Sequence, residues 1–342
     1  MSRLATRRRG NQRRSHPGQW LRWQERAAAL SLALAACTAS TLAAVSARAS
    51  DGGYTVTATI RVGANAGAVA VSPDGSHIDV SSSRGVSVID AATNHITATI
   101  PNVGGEIAFS PDGKDAYIGN GESVSVIDTA TNHVTATIPD GGDVDQTGIA
   151  VSPDGRYLYF ADGGGSLKVI DIATRHVSAF IRVGSGPDGV AVSPDGRHIY
   201  VINLWSGSVS VIDTATNQVT ATVPVGGNPF GVAVSPNGRH VYVPTVQYPG
   251  RVWVIDTATN RVTASIPVGS QPTGVAISPD GSRAYVANWA CGTMSVIDTA
   301  TNKVIDTLSL GGNPLEVAVS PNGRHIYVTN QSTGVVSVIT HR

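Results

Sequence analysis

The feature that most constrains this chain is a four-residue phrase, Ser-Pro-Asp/Asn-Gly, which occurs seven times at nearly equal intervals. The copies begin at Ser72, Ser110, Ser152, Ser193, Ser235, Ser278 and Ser320, so consecutive copies are 38 to 43 residues apart. A second phrase, Val-Ile-Asp, keeps the same register and ends at Asp90, Asp128, Asp171, Asp213, Asp256 and Asp298. A period of about 40 residues indicates one supersecondary unit repeated in a stacked or closed array.

Each repeat predicts four short strands and no helix. In the unit from residue 187 to residue 226, runs rich in β-branched and apolar residues cover 189–193, 198–201, 209–213 and 219–223. Pro-Asp-Gly separates the first two runs and Thr-Ala-Thr-Asn the last two, and both are typical turn sequences. No stretch after Tyr54 has apolar residues at helical spacing. Four strands per repeat predict one blade of a β-propeller.

The two ends of the chain supply the missing parts of one blade. Residues 54–60 resemble a fourth strand with no blade before it, and residues 335–340 a third strand with no fourth after it. Pairing them would remove the exposed sheet edges of a gapped ring. We therefore predict an all-β fold, a seven-bladed propeller of four-stranded blades over residues 54–340, closed by this pairing. The structural alternative is an open β-solenoid, which would need caps.

The repeat resembles a known family at several motifs. Residues 327–330 read Tyr-Val-Thr-Asn and residues 209–217 read Val-Ser-Val-Ile-Asp-Thr-Ala-Thr-Asn, as in YVTN-family β-propeller repeats. The chain is more distantly similar to WD40 repeats, but it has Ile-Asp for Trp-Asp and lacks the Gly-His pair. The YVTN resemblance covers residues 54–340 and implies a secreted or surface-exposed prokaryotic propeller. It implies no reaction, because one fold hosts many functions.

Residues 1–49 have the composition of an export leader, and residues 50–53 form a linker to the propeller. The leader begins with Arg-rich sequence and continues with an uncharged run at 27–47. Ala-Arg-Ala at 47–49 fits a cleavage site, whereas Leu-Ala-Ala-Cys at 34–37 resembles a lipobox that would make Cys37 a lipidated N-terminus. An uncleaved anchor is a third alternative. We expect an exported protein, either secreted or lipid-anchored at the outer side of the cytoplasmic membrane.

Removal of the leader changes the charge balance. The chain has 24 basic and 24 acidic residues, but nine of the basic and one of the acidic residues lie in residues 1–49. Residues 50–342 therefore carry a net charge of −8. Because this charge repels phosphate backbones, a nucleic-acid partner is disfavoured. Membrane contact is expected only through an N-terminal lipid or signal anchor, and the protein is expected to be a monomer.

Comparison of the repeats with each other predicts which face of the ring is functional. Turns after the first and third strands share one face, which we call the turn face, and hardly vary. Loops after the second and fourth strands share the opposite face, the variable face, and differ in length and chemistry. Binding residues usually lie on loops that a rigid scaffold positions. Residues that depart there from small or polar counterparts predict a surface for a protein, peptide or glycan: Trp205, Phe230, Gln247, Tyr248, Trp289 and Leu315. The alternative is that they pack against neighbouring loops.

An acidic set on the same face predicts a site for a divalent cation such as Ca²⁺, which prefers oxygen ligands. Glu106 and Glu316 occupy the position that is Gly in most repeats, at the start of the innermost strand. The full set of candidate ligands is Glu106, Asp143, Asp145, Asp162, Asp188 and Glu316. The alternative is solvated acidic loops. No other cofactor and no catalytic residue is predicted.

The leading hypothesis is an exported propeller that acts as a binding or scaffold protein at the cell envelope or outside the cell. An alternative is a metal-dependent hydrolase or lyase, resembling lactonase-type seven-bladed propellers. In that alternative Glu106, Asp162, Asp188 and Glu316 would hold a metal that polarises a carbonyl or activates water. A structural surface-layer protein is the third hypothesis.

Overall fold

The computed structural model describes residues 53–119, 123–139 and 146–341, and these residues form β-strands joined by turns, without a helix. Accordingly, no helix able to cross a membrane occurs within those ranges. The predicted leader and its Cys37 lie outside the described residues.

The first strands in chain order form the following blades. β1 (Tyr54–Arg61) precedes the first complete blade. Blade 1 consists of β2 (Val69–Val71), β3 (His77–Ser82), β4 (Gly85–Asp90) and β5 (His95–Ile100). Blade 2 consists of β6 (Ile107–Phe109), β7 (Asp115–Gly119), β8 (Ser123–Asp128) and β9 (His133–Pro139). Blade 3 consists of β10 (Gln146–Val151), β11 (Tyr157–Asp162), β12 (Ser166–Asp171) and β13 (His176–Arg182).

The remaining blades follow the same order, with one interruption. Blade 4 consists of β14 (Pro187–Val192), β15 (His198–Asn203), β16 (Ser208–Asp213) and β17 (Gln218–Pro224). In blade 5 the innermost strand is split, giving β18 (Asn228–Pro229), β19 (Ala233–Val234), β20 (His240–Val246), β21 (Arg251–Asp256) and β22 (Arg261–Pro267). Blade 6 consists of β23 (Pro272–Ile277), β24 (Arg283–Asn288), β25 (Thr293–Asp298) and β26 (Lys303–Ser309). Blade 7 consists of β27 (Pro314–Val319), β28 (His325–Asn330) and β29 (Val335–His341), completed by β1.

The blades close into a ring. β1 pairs antiparallel with β29, so the two ends of the chain share blade 7. The innermost strands are neighbours around the centre, and β2 of blade 1 lies against both β27 and β6. At the turn face, a Cβ atom built on Gly75 of blade 1 would lie 3.2 Å from the Pro321 Cδ atom of blade 7. The predicted seven-bladed architecture and its closure are confirmed, and the open solenoid is excluded.

The recurrent Ser-Pro-Asp/Asn-Gly phrase is explained by the hydrogen bonds of the turn. In blade 4 the Ser193 hydroxyl donates to the Asp195 carboxylate at 2.6 Å. The same hydroxyl accepts the backbone N–H of His198 at 2.9 Å, and the carboxylate accepts the N–H of Arg197 at 3.1 Å. Gly196 has a φ of 72°, a left-handed conformation that favours glycine. Each side chain of the phrase therefore satisfies backbone donors that the turn would otherwise leave unpaired.

The hydrophobic core lies between blades. Tyr200, in the middle of the second strand of blade 4, packs with Val241, Val243 and Ile255 of blade 5. Five other blades carry the same buried tyrosine in the same register: Tyr117, Tyr159, Tyr242, Tyr285 and Tyr327. Because each cluster combines residues of two adjacent blades, one blade alone could not bury its apolar faces.

A second repeated contact joins the end of the second strand to the middle of the third strand inside a blade. In blade 4 the buried Asn203 amide donates to the Ser210 hydroxyl at 3.0 Å. In blade 6 Asn288 donates in the same way to Ser295 at 2.9 Å. The amide therefore ties two strands together at a position that water does not reach.

Two blades replace both partners of this contact. In blade 3 the partners are Asp162 and Lys168, whose charged atoms are 3.7 Å apart in a buried ion pair. In blade 5 the Trp253 indole N–H donates to the Thr245 hydroxyl at 3.1 Å. The structure therefore corrects the expectation that Asp162 is a metal ligand together with Glu106, Asp188 and Glu316: its carboxylate lies inside blade 3, paired with a lysine.

The ion pair of blade 3 gives a first prediction. Lys168→Met leaves the Asp162 carboxylate buried without its cation, so we expect the free energy of unfolding to fall by about 3 kcal/mol. The double variant Asp162→Asn, Lys168→Ser recreates the contact of blades 4 and 6 and should recover most of that loss. Urea unfolding followed by circular dichroism measures both. Equal destabilisation of the single and the double variant would contradict this account.

Candidate binding site at the channel entrance on the variable face

Two glutamates project at the entrance of the central channel, where most blades have almost no side chain. Counting four residues back from the Ser of each turn phrase gives Ala68, Glu106, Gly148, Gly189, Gly231, Gly274 and Glu316. Ala68 and Glu106 directly precede their innermost strands, Gly231 lies between β18 and β19, and the other four are the third residues of theirs, so all lie toward the variable-face ends of these strands. Glu106 and Glu316 belong to blades 2 and 7, on either side of blade 1. The structure therefore places both residues where the sequence predicted them.

Bulges in the innermost strands turn further side chains out of the ladder. The pairing of β27 with β28 shifts register between Pro314 and Val317, and this shift releases Leu315 and Glu316. The same shift in β14, between Pro187 and Val190, releases Asp188. Bulges beside functional sites commonly redirect a side chain in this way. Asp188 thus joins Glu106 and Glu316 as a third acid at the channel entrance.

The neighbouring blade has a gap that fits the Glu316 side chain. A Cβ atom built on Gly274 of blade 6 would lie 2.7 Å from the Glu316 Oε2 atom, which is closer than real Cβ contacts come. The Glu316 backbone N–H donates to the Thr329 hydroxyl at 3.1 Å, which fixes the start of the side chain. Sequence reasoning missed Gly274, although its position next to a blade that carries Glu was a usable signal.

The three carboxyl groups influence one another. Burial, and next the negative charge of Asp188, raise the pKa of Glu106 to about 8. Burial, followed by the charges of Glu106 and Asp188, raises the pKa of Glu316 well above its usual range. Both glutamates are half-buried, so water screens them only in part. At neutral pH the group therefore holds protons or attracts a cation.

The predicted metal ligands do not all come together. Within the described ranges, no three His, Cys, Asp or Glu side chains are arranged to hold a metal ion. Asp143 and Asp145 lie outside the described residues. Glu106, Asp188 and Glu316 are thus an interacting set of acids in a confined space, and we call them the entrance carboxylates.

Two residues of the predicted aromatic surface are open to solvent. The Trp205 side chain is 65% exposed and the Tyr248 side chain 57% exposed. Both follow the second strand of their blades and so lie on the variable face. A Cβ atom built on Gly186 would lie 2.8 Å from the Trp205 Cδ2 atom, so the indole ring rests on a glycine that cannot be enlarged. One face of this largely exposed ring therefore lies against the Gly186 backbone.

The other members of that surface are partly or fully covered. Leu315 is 5% exposed, which corrects the expectation that it offers apolar surface. Phe230, Gln247 and Trp289 are half-buried. The Trp289 indole N–H donates to the Gln331 side chain at 3.0 Å, and the Gln247 amide donates to the Thr245 hydroxyl at 3.1 Å. The alternative that the predicted residues pack against neighbouring loops therefore fits these four residues. It does not fit Trp205 and Tyr248.

The fold and its closed ring define this protein as a seven-bladed β-propeller, and comparisons with known proteins agree. A family profile described as the cytochrome D1 heme domain matches residues 117–232, and one described as a YNCE-like beta-propeller matches residues 191–283. Each covers less than half of the chain. The solved structure of Kuenenia stuttgartiensis hydrazine synthase is similar, with a TM-score of 0.73 and 25% identity over 81% of this chain and 95% of that chain. No curated protein matches this sequence.

The entrance carboxylates do not resemble a heme site. Heme iron in proteins is held by His, Cys, Met or Tyr side chains. The histidines that the structure describes lie at strand ends on the turn face, away from the carboxylates: His77, His95, His133, His176, His198, His240, His325 and His341. The similarity to a heme-domain profile therefore extends to the fold and not to this set of residues.

The raised pKa of Glu106 gives a second prediction. The folded value is about 8 against an ordinary 4.5, so ionisation disfavours the folded state and stability falls as the pH rises from 4.5 to 8. In the Glu106→Gln variant, the fall in the free energy of unfolding up to pH 8 should be smaller, by on the order of 2 kcal/mol. Urea unfolding at pH 5 and pH 8 measures it.

The control for this prediction is Asp195→Asn, because blades 5 and 7 have Asn at the corresponding turn position. The pKa of Asp195 is lowered, mainly by the Ser193 hydroxyl, so its titration lies below this pH window. The control should therefore keep the pH dependence of the wild type. If Glu106→Gln did the same, the entrance carboxylates would not be desolvated as described.

Proposed function

We propose that this protein is an exported β-propeller of the YVTN-repeat type that binds a basic segment of a protein or peptide at the cell envelope through its variable face. The observation that carries the proposal is the convergence of the entrance carboxylates from blades 2, 4 and 7. Burial and neighbouring negative charge disfavour the ionised form of Glu106 and Glu316. A cation that bound beside them would stabilise that ionised form. The Arg-rich start of the chain and the uncharged run after it support export.

The charge of the ring supports a basic ligand. Residues 50–342 carry a net charge of −8, so the field of the protein attracts positive groups and accelerates their association. A Lys or Arg side chain that entered the channel would exchange water for carboxylate partners in a confined space. A phosphate-bearing ligand would instead be repelled.

The exposed aromatic rings supply a second contact for the same ligand. Trp205 and Tyr248 lie on the variable face and are mostly exposed, and the Trp205 ring lies against Gly186. A cation over such a ring is stabilised by about 0.5–1 kcal/mol at an exposed site. A neutral glycan could stack on these rings but would bring no positive charge to the carboxylates. A basic peptide uses both, and we therefore favour it over a glycan.

A third prediction tests the aromatic contact. The double variant Trp205→Ala, Tyr248→Ala should lose at least tenfold in affinity for the envelope partner, while its melting temperature stays within about 2 °C of the wild type, because both side chains are mostly in solvent. Pull-down from envelope extracts, followed by titration with the captured protein, measures the loss.

The matched control is Phe180→Ala. The Phe180 ring is 66% exposed but lies on β13, the outermost strand of blade 3, and not in a loop of the variable face. The Phe180→Ala variant should bind the partner as the wild type does. The double variant Glu106→Gln, Glu316→Gln should bind it more weakly, and its affinity should depend less on salt concentration. Loss of binding in Phe180→Ala alone would place the partner on the outer edge of the ring and overturn the proposal.

A second candidate is a metal-dependent, lactonase-like hydrolase or lyase. It is favoured by one observation, the meeting of three acids from three blades at one entrance. A fourth prediction separates the two candidates: for a binding protein we expect thermal melting of the full chain to be unchanged by a chelator. A tightly bound divalent ion in 1:1 ratio, whose removal lowers the melting temperature, would instead favour the enzyme and justify lactone and lyase screens.

A further inference from the structure

One junction of the ring lacks the tyrosine that fills the other six. In blade 1 the middle of the second strand holds Asp79, which pairs with Ala70 on β2 and with Val88 on β4. In blade 2 Tyr117 has the equivalent partners, Ala108 and Val126. Residues paired directly across antiparallel strands point to the same side of the sheet. Asp79 therefore faces in the direction in which Tyr117 packs, toward the next blade.

Asp79 is buried in an apolar interface. Its side chain is 2% exposed, and its Oδ1 atom has no hydrogen-bond partner among the described residues. Val88, opposite Asp79, belongs to the cluster that joins blade 1 to Ala116 and Ile118 of blade 2. A buried polar atom without a partner disfavours the folded state, and a buried charge does so more strongly.

The junction shows two adjustments around this aspartate. The residue before the turn Ser is Phe109 in blade 2, where every other blade has Val or Ile. The Phe109 ring packs against this cluster and meets the His77 ring of blade 1 edge-on, with centroids 5.4 Å apart. The innermost strands on the two sides, β2 and β6, have three residues each, against six in blades 3, 4, 6 and 7.

Among the described residues, no charged group compensates the aspartate. The titratable residues on the packed elements, of which β2 has none, are the following: His77 on β3, Asp90 at the end of β4, His95 at the start of β5, Glu106 before β6, Asp115 and Tyr117 on β7, and Asp128 at the end of β8. Burial alone raises the pKa of Asp79, to about 7, and none of these neighbours contributes. The carboxyl group is therefore tolerated as a neutral acid and has no cation to pair with when it ionises.

We propose that the junction of blades 1 and 2 is the place where the ring loosens as the pH rises toward neutrality, because Asp79 must then lose its proton inside an apolar interface. Below pH 4 the group is protonated in both the folded and the unfolded chain and has no effect. Between pH 4 and pH 7 the population of the locally open form increases, because the ionised carboxylate is more stable in water than in the apolar interface. Above pH 7 the effect is constant.

Hydrogen exchange measured by mass spectrometry on the full chain tests this. After correction for intrinsic exchange rates, the opening constants of peptides from β3, β6 and β7 should rise by up to about tenfold per pH unit between pH 5 and pH 7. They should then level off. Peptides from β15, β20 and β24, which carry or face the buried tyrosines of blades 4, 5 and 6, should change far less.

Two variants complete the test. Asp79→Asn keeps the shape of the side chain and should abolish the pH dependence at β3. Asp79→Tyr, Phe109→Val restores the repeat and should do the same. Glu106→Gln must leave the dependence at β3 in place, which separates this device from the entrance carboxylates. The proposal is overturned if the opening constants change equally in all blades. It is also overturned if the opening at β3 keeps its pH dependence in the Asp79→Asn variant.

Discussion

Packing between blades is the interaction on which the rest of this structure depends. Each blade is a small twisted sheet without a core of its own. It becomes stable by burying its third-strand valines, and in six blades its second-strand tyrosine, against the next blade, while its third-strand isoleucine packs against the preceding blade. Such a chain of contacts leaves two open faces unless the ring closes. The pairing of β1 with β29 provides the closure, because residues far apart in sequence complete one sheet.

The closed ring determines where chemistry can vary. On the turn face the Ser, Asp and Thr side chains are occupied with backbone groups, so replacing them would leave turn donors unpaired. On the variable face the loop side chains have no such repeated hydrogen-bonding role. Inside the blades, changes occur in pairs, as with Asp162 and Lys168 or Thr245 and Trp253. Glu316 differs, because the neighbouring Gly274 leaves room for its side chain.

Much of the fold and part of the site followed from comparing the repeats with each other. The blade count, the closure and the position of Glu106 and Glu316 were predictable, because departures from a repeated residue are visible without structure. Asp162 was assigned to the wrong place, since its departure from Asn is matched by the departure of Lys168 from Ser, six residues later. Leu315 was taken as exposed, because its burial depends on the packing of loops from different blades. Asp79 was overlooked, although the interrupted series of tyrosines was a signal for it.

The sequence by itself determined the architecture, because a repeated pattern of strands and turns with complementary ends has one way to bury its apolar residues and pair its edges. It also determined which face of the ring varies. Only the tertiary structure decided which acids interact, since their pKa values depend on enclosure by seven blades and on the charges of acids from other blades. It likewise decided which aromatic rings remain exposed, because coverage by neighbouring loops is a property of three-dimensional packing and not of residue type.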